Sequence, residues 1–153
     1  MLGPAAIARI VGDRFTLGPV TSCRLHRTYV NEVYRLEMMD GAYAVKLARR
    51  GWRSAPDAKR EAAILRHARQ SGIVVPEPVR AASGDLAIGV STPEGERALT
   101  VHAWLPGVKP PPSFDRRRVG EAVARLHEGL STLAPSPDDR HWDMRRWSRN
   151  RWM

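Results

Sequence analysis

A lysine and a glutamate fifteen residues apart, Lys46 and Glu61, are the two side chains of this sequence whose types and surroundings most directly suggest chemistry. Lys46 falls in Ala42–Ala48, where alternation sends Tyr43, Val45 and Leu47 to one face and Ala42, Ala44, Lys46 and Ala48 to the other. A lone cation among alanines leaves room for a flat ligand and offers positive charge to a phosphate. Taken alone, such a lysine reads first as an edge-strand charge that blocks aggregation. Glu61 changes the balance. With Ile64, Leu65 and Ala68 it falls at i, i+3, i+4 and i+7 of a helix, so a carboxylate shares the apolar stripe. A charge there needs a partner, unless it lies on a solvated flank or caps the helix by reaching back toward Ala58. The intervening residues are enough to return a helix onto its strand.

A third feature is the junction Thr100-Val101-His102-Ala103-Trp104-Leu105-Pro106-Gly107. A strand that runs into a proline–glycine hinge exposes backbone groups able to hydrogen-bond a base edge, although an ordinary linker has the same look.

These residues need positioning elements. Thr21–Met38 is rich in strand formers, Asp40-Gly41 marks a hairpin turn, and Ala42–Ala48 is the returning strand. Asp57–Gln70 predicts a helix capped near Ser54 or Asp57 and closed by Ser71-Gly72. Pro76 and Pro78 make Val74–Val79 an extended connector rather than a central strand. Strands around Asp85–Val90 and Arg97–Leu105 flank the turn at Ser91–Gly95. Pro106–Pro112 is a stiff linker, and Ser113–Leu130 an amphipathic helix striped by Val119, Val123, Leu126 and Leu130. The order is that of an α+β fold built on a mostly antiparallel sheet.

Composition narrows the classes. With 153 residues, 42% hydrophobic and 27% charged, the chain suits a soluble domain. Leu2–Val11 is too short for a membrane span and carries Arg9, and no signal-peptide pattern opens the sequence. The single cysteine, Cys23, cannot pair within the chain, which fits a reducing, cytoplasmic setting. The net charge of +9 comes almost entirely from arginine, because only Lys46, Lys59 and Lys109 are lysines. That bias, with abundant alanine, proline and glycine, is what a GC-rich gene encodes, so charge alone does not argue for nucleic acid.

Six segments together resemble the aminoglycoside phosphotransferase and choline-kinase-like family of small-molecule kinases. They are Asn31-Glu32-Val33-Tyr34-Arg35-Leu36, Tyr43-Ala44-Val45-Lys46-Leu47, Arg60-Glu61-Ala62-Ala63-Ile64-Leu65, Val75-Pro76-Glu77-Pro78-Val79, Trp104-Leu105-Pro106-Gly107 and Val123-Ala124-Arg125-Leu126-His127. The likeness spans about Val20–Leu130. It implies a protein-kinase-like N-terminal lobe: an antiparallel sheet with one packed helix over residues 1–107, a proline linker at 108–112, and the start of a helical lobe at 113–153. It also implies nucleotide-binding roles. Lys46 would contact the α- and β-phosphates of ATP or GTP, Glu61 would hold that lysine, and Ala44 would pack on the base. The Ala103 carbonyl and Leu105 amide would be hinge contacts, and Arg27–Asn31, including Thr28 and Asn31, would form the loop over the phosphates. His127 is read as a structural helix residue.

Phosphoryl transfer further requires an aspartate at the acceptor hydroxyl and metal ligands. The family takes these from an H-G-D-x-x-x-x-N segment and a later aspartate in its helical lobe. Here His141-Trp142-Asp143 imitates the start, but Ser148 fills the asparagine position, and the segment follows Leu126-His127 too closely. No catalytic or metal-binding residue is therefore assigned. The expectation is a lobe inactive alone, with Mg2+ bound only if a complete catalytic lobe is supplied. Its full-length relatives would phosphorylate the hydroxyl of an aminoglycoside, sugar or amino alcohol.

The segment Arg140–Met153 holds five arginines and three tryptophans. It reads as the beginning of a helical lobe whose exposed apolar surface invites self-association. The competing function is a non-catalytic module binding polyanions or nucleic acid through this tail.

Overall fold

The structure is a computed structural model and describes residues 2–107 and 115–135. A helix, α1 (Pro4–Arg14), precedes three antiparallel strands, β1 (Val20–Thr28), β2 (Glu32–Met38) and β3 (Gly41–Leu47). Helix α2 (Ala55–Gln70) follows, then β4 (Pro78–Val79), β5 (Ile88–Thr92), β6 (Gly95–Ala103) and helix α3 (Arg116–Leu130). The strands form one six-stranded sheet in the order β1-β2-β3-β6-β4, with β5 paired to the first half of β6.

Alternation along β2 and β3 gives the sheet two different faces. Tyr34, Leu36, Met38, Val45 and Leu47 join Leu99 and Val101 of β6 in the main core, which Ile7, Val11 and Phe15 close from above. The other face carries Ala48 and Ala98, and these meet Ala58 and Ala87. Alanines on both surfaces let α2 approach the sheet closely, so it packs on β6 and β4 and its longer flanking side chains can reach β3.

Each predicted element is present, with shifted bounds. The Thr21–Met38 region divides at Tyr29–Asn31 into β1 and β2, and β1 is an edge strand with two register shifts. The connector with its two prolines contributes only Pro78–Val79, at the sheet edge where a missing N–H costs no ladder bond. Helix α2 starts two residues earlier than Asp57. Ser54 is its cap: the Asp57 N–H donates to Ser54 Oγ, and Ser54 N–H donates back to Asp57 Oδ2 at 2.9 Å. Gly72, at φ +79°, turns the chain out of α2 in a conformation that disfavours other residues. The first helix, Pro4–Arg14, has no counterpart in the sequence reading.

Helix α3 starts at an Asp115 cap rather than at Ser113, and its C-terminal end packs against α2. A β-carbon at Gly129 would stand 2.6 Å from Ile73 Cδ1, so the contact admits only glycine without adjustment. His67 Nε2 lies 3.1 Å from the Gly129 carbonyl oxygen, and the Ser71 hydroxyl donates to the same atom. Along the rest of α3, Val119 and Val123 are exposed. The linker at 108–112 and the tail from residue 136, including His141-Trp142-Asp143, lie outside the described residues.

Candidate nucleotide site

β3 and α2 bring Lys46 and Glu61 into direct contact, Nζ to Oε1 at 2.5 Å. Lys46 lies opposite Thr100 on β6 and Val33 on β2, so three strands hold its backbone. Glu61 does not sit at the centre of the buried stripe. Ala58, Ala62 and Ala68 are the most buried residues of α2, and Glu61 lies along their flank with its side chain 44% exposed. The capping role considered for Glu61 belongs to Asp57 instead. Glu61 is thus free of backbone duty and holds the lysine at the edge of a small cleft. Ala48, Ala58, Ala98, Thr100 and Arg53 line that cleft beside the pair. Arg53 is a second cation there that sequence spacing gave no reason to select.

Ala44, two residues before Lys46 on the same face, pairs with His102 of β6. Small Ala44 leaves a shallow surface beside the point where the main chain leaves the sheet. At that point the Ala103 N–H donates to the Glu77 carbonyl and the Trp104 N–H to the Ala42 carbonyl. Leu105 to Gly107 then run exposed. The Trp104 ring is held over the sheet by the Arg35 guanidinium, 4.7 Å from its centroid, and by the edge of His26 at 4.9 Å. Arg35 is the β2 partner of Ala44, so this stack borders the same surface.

His102 is buried, with Nε2 2.9 Å from Thr100 Oγ1 and Nδ1 without a hydrogen-bond partner. Burial, and secondarily the neighbouring Lys46 charge, push its pKa down to about 4, against a smaller opposing pull from Glu61. The imidazole is therefore neutral at pH 7.

The turn after β1 is shorter than the Arg27–Asn31 loop implied by the resemblance, because β1 extends through Thr28. Tyr29, Val30 and Asn31 make the turn, and Asn31 Oδ1 accepts from the Arg49 N–H at 3.3 Å. Asn31 thus ties the turn to the segment leaving β3. Thr28 is exposed at the end of the edge strand. Ala44 and Lys46 thus share one face of β3, Glu61 reaches Lys46 from α2, and the chain leaves β6 beside Ala42.

Among the described residues, no three His, Cys, Asp or Glu side chains converge as a metal site. Among the same residues, no helix is long and apolar enough to cross a membrane.

Comparison with known proteins agrees with this architecture. The profile of the phosphotransferase enzyme family matches residues 22–153, so the chain belongs to that family. A Synechocystis sp. protein described only as uncharacterized is 23% identical over 138 residues, covering 88% of this chain and 38% of its own length. Among solved structures, a microcompartment-associated aminopropanol kinase superposes with a TM-score of 0.75 at 21% identity, over 93% of this chain and 46% of that one. An amicoumacin kinase, solved with AMP-PNP, Ca2+ and Ami, gives 0.75 at 20% identity, over 92% and 45%. The fold is that of a kinase-like N-terminal lobe, and the chain spans less than half the length of each of these proteins.

Proposed function

We propose that these residues form the nucleotide-binding lobe of a small-molecule kinase, one that transfers the γ-phosphoryl of ATP or GTP to a hydroxyl. The observation that carries this reading is the Lys46–Glu61 contact on the sheet face that also bears Ala44. A carboxylate holding an ammonium at a fixed point in a half-open cleft positions charge for an anion rather than burying it. In the proposed complex Lys46 meets the α- and β-phosphates, Glu61 keeps its Nζ in place, and Ala44 packs on the base. The Ala103 carbonyl and Leu105 amide bond the base edge, and the turn near Thr28 and Asn31 covers the phosphates. The amicoumacin kinase held with AMP-PNP supports a nucleotide in this role.

An aspartate to orient the acceptor hydroxyl and the metal ligands would come from a helical lobe beyond α3. Without them the residues described here bind nucleotide but do not turn it over. The acceptor would be a small hydroxyl compound, as for the antibiotic and amino-alcohol kinases of the same fold.

Isothermal titration of the 153-residue chain with ATP, ADP and GTP tests this. Lys46→Ala is expected to weaken binding about 10- to 100-fold, the equivalent of one charge-assisted hydrogen bond. Binding as tight in Lys46→Ala as in the wild type overturns the assignment.

A further inference from the structure

Behind the face that bears Lys46, the main core contains a charged network that the proposed site does not use. Arg97 and Glu32 are both buried, 7% and 8% exposed, and their side chains meet at 2.8 Å, Nη1 to Oε1. Arg97 also donates from Nε to the Ala48 carbonyl at 2.7 Å and from Nη2 to the Leu47 carbonyl at 3.4 Å. One guanidinium therefore grips the two residues that follow Lys46 and the first residue of β2. Glu32 directly follows the Tyr29–Asn31 turn and pairs in register with Leu47.

The network continues through Tyr34, which is fully buried. Its hydroxyl lies 2.7 Å from Glu32 Oε2 and 2.5 Å from the Leu2 carbonyl oxygen, so one phenol proton serves two acceptors. Burial and the adjacent carboxylate push the phenol pKa up, which keeps that proton in place.

A buried ion pair is poor evidence for stability, since well-packed apolar residues commonly do as well. Its value lies in fixing one arrangement. Here the arrangement fixed is the stem of a turn. No G-x-G-x-x-G segment supplies mobile backbone amides at this point of the chain; the turn is Tyr29-Val30-Asn31. Its outgoing end is anchored by Glu32 from below, and Asn31 anchors it laterally to the Arg49 amide.

We infer that Arg97, Glu32 and Tyr34 are positioning residues that hold the Tyr29–Asn31 turn at a set height relative to Lys46, so that turn and lysine grip a phosphate chain together. This inference rests on the nucleotide reading above. It assigns the phosphate-dependent part of affinity, and not the base-dependent part, to a network that touches no ligand.

The test compares ATP with adenosine on the ligandable chain, together with amide hydrogen exchange on the ligand-free chain, below the melting temperature of every variant. Glu32→Ala removes the anchor. ATP affinity is expected to fall about fivefold, the loss of roughly one hydrogen bond's worth of preorganisation, with adenosine affinity unchanged. Exchange at Tyr29–Asn31 quickens while Val45 and Leu99 stay protected. Glu32→Gln is the rescue: its carbonyl still accepts from Arg97, and its amide donates to the Tyr34 oxygen, which frees the phenol proton for Leu2. It restores the ATP-to-adenosine ratio even though Arg97 is left without a counter-ion and the melting temperature drops. A purely structural role predicts the opposite pattern, with melting temperatures shifted and the ratio constant in all variants, and that result overturns the inference. Should Glu32→Ala fail to fold, Tyr34→Phe, which deletes a single oxygen, decides by the same ratio and exchange rates. If the wild type binds neither ligand, the nucleotide reading fails, and the exchange rates alone still decide whether the network anchors the turn.

Discussion

Lys46 Nζ and Glu61 Oε1 meet at 2.5 Å across the gap between β3 and α2, yet neither side chain is buried: 24% of one and 44% of the other remain exposed. A pair made for stability would gain little in such a setting, because solvent screens it. A pair made to aim a cation at a visiting anion belongs at a cleft edge. The alanine surface beneath α2 makes the contact possible, since Ala48, Ala58 and Ala98 let the helix come close enough for a glutamate to reach the strand.

Stability and binding should accordingly separate at this pair. In a double-mutant cycle of Lys46→Ala and Glu61→Ala, urea unfolding is expected to give a coupling of no more than about 1 kcal/mol. ATP affinity in Glu61→Ala should nevertheless fall about fivefold, by loss of preorganisation worth roughly 1 kcal/mol. ATP affinity unchanged in Glu61→Ala would make the pair an incidental surface bridge.

Helix α1 should prove integral to the lobe rather than an appendage. Ile7 and Val11 are fully buried, and they seal the core formed by Tyr34, Leu36, Leu99 and Val101. Ile7→Ala is expected to cost about 2–4 kcal/mol in urea unfolding, the usual range for a large aliphatic truncated in a core. A loss below about 1 kcal/mol would mean that α1 frays from the sheet without consequence.

His102 sets an acid limit on the fold. Its folded pKa of about 4 lies below the ordinary histidine value, so the native state keeps it neutral where the unfolded chain takes up a proton. The unfolded state therefore binds more protons, and stability rises with pH across this window. The contribution is fully present above about pH 6.5 and is lost as the pH falls toward 4, a span of about 3 kcal/mol. His102→Gln should flatten the stability profile between pH 4 and 6.5, measured by urea midpoints; an unchanged slope would assign the acid sensitivity elsewhere.

What the sequence made legible was local. The Ser54/Asp57 cap, the turn before Gly41 and the alternation through Tyr43–Leu47 each announce themselves within a few residues, and Lys46 and Glu61 stood out because each conflicted with its neighbours. Helix α1 gave no comparable signal: its two deep residues, Ile7 and Val11, are one helical turn apart, and its Gly3 cap has no side chain to advertise it. The Arg97–Glu32 pair was equally hidden. Its partners are 65 residues apart, and β6 reads simply as a strand with a charge near its start. Arg53 reached the cleft through the path of the β3–α2 connection, which no local pattern specifies.

A nucleotide is expected to lie between Lys46 and the point where the chain leaves β6. Backbone amide shifts of isotopically labelled chain, followed during ATP titration, address it most directly. Perturbations are expected to concentrate at Ala44, Lys46, Glu61, Ala103, Leu105 and the Tyr29–Asn31 turn, and to be absent from Lys46→Ala at the same ATP concentration. Perturbations confined to other surfaces, or identical in Lys46→Ala, would contradict it.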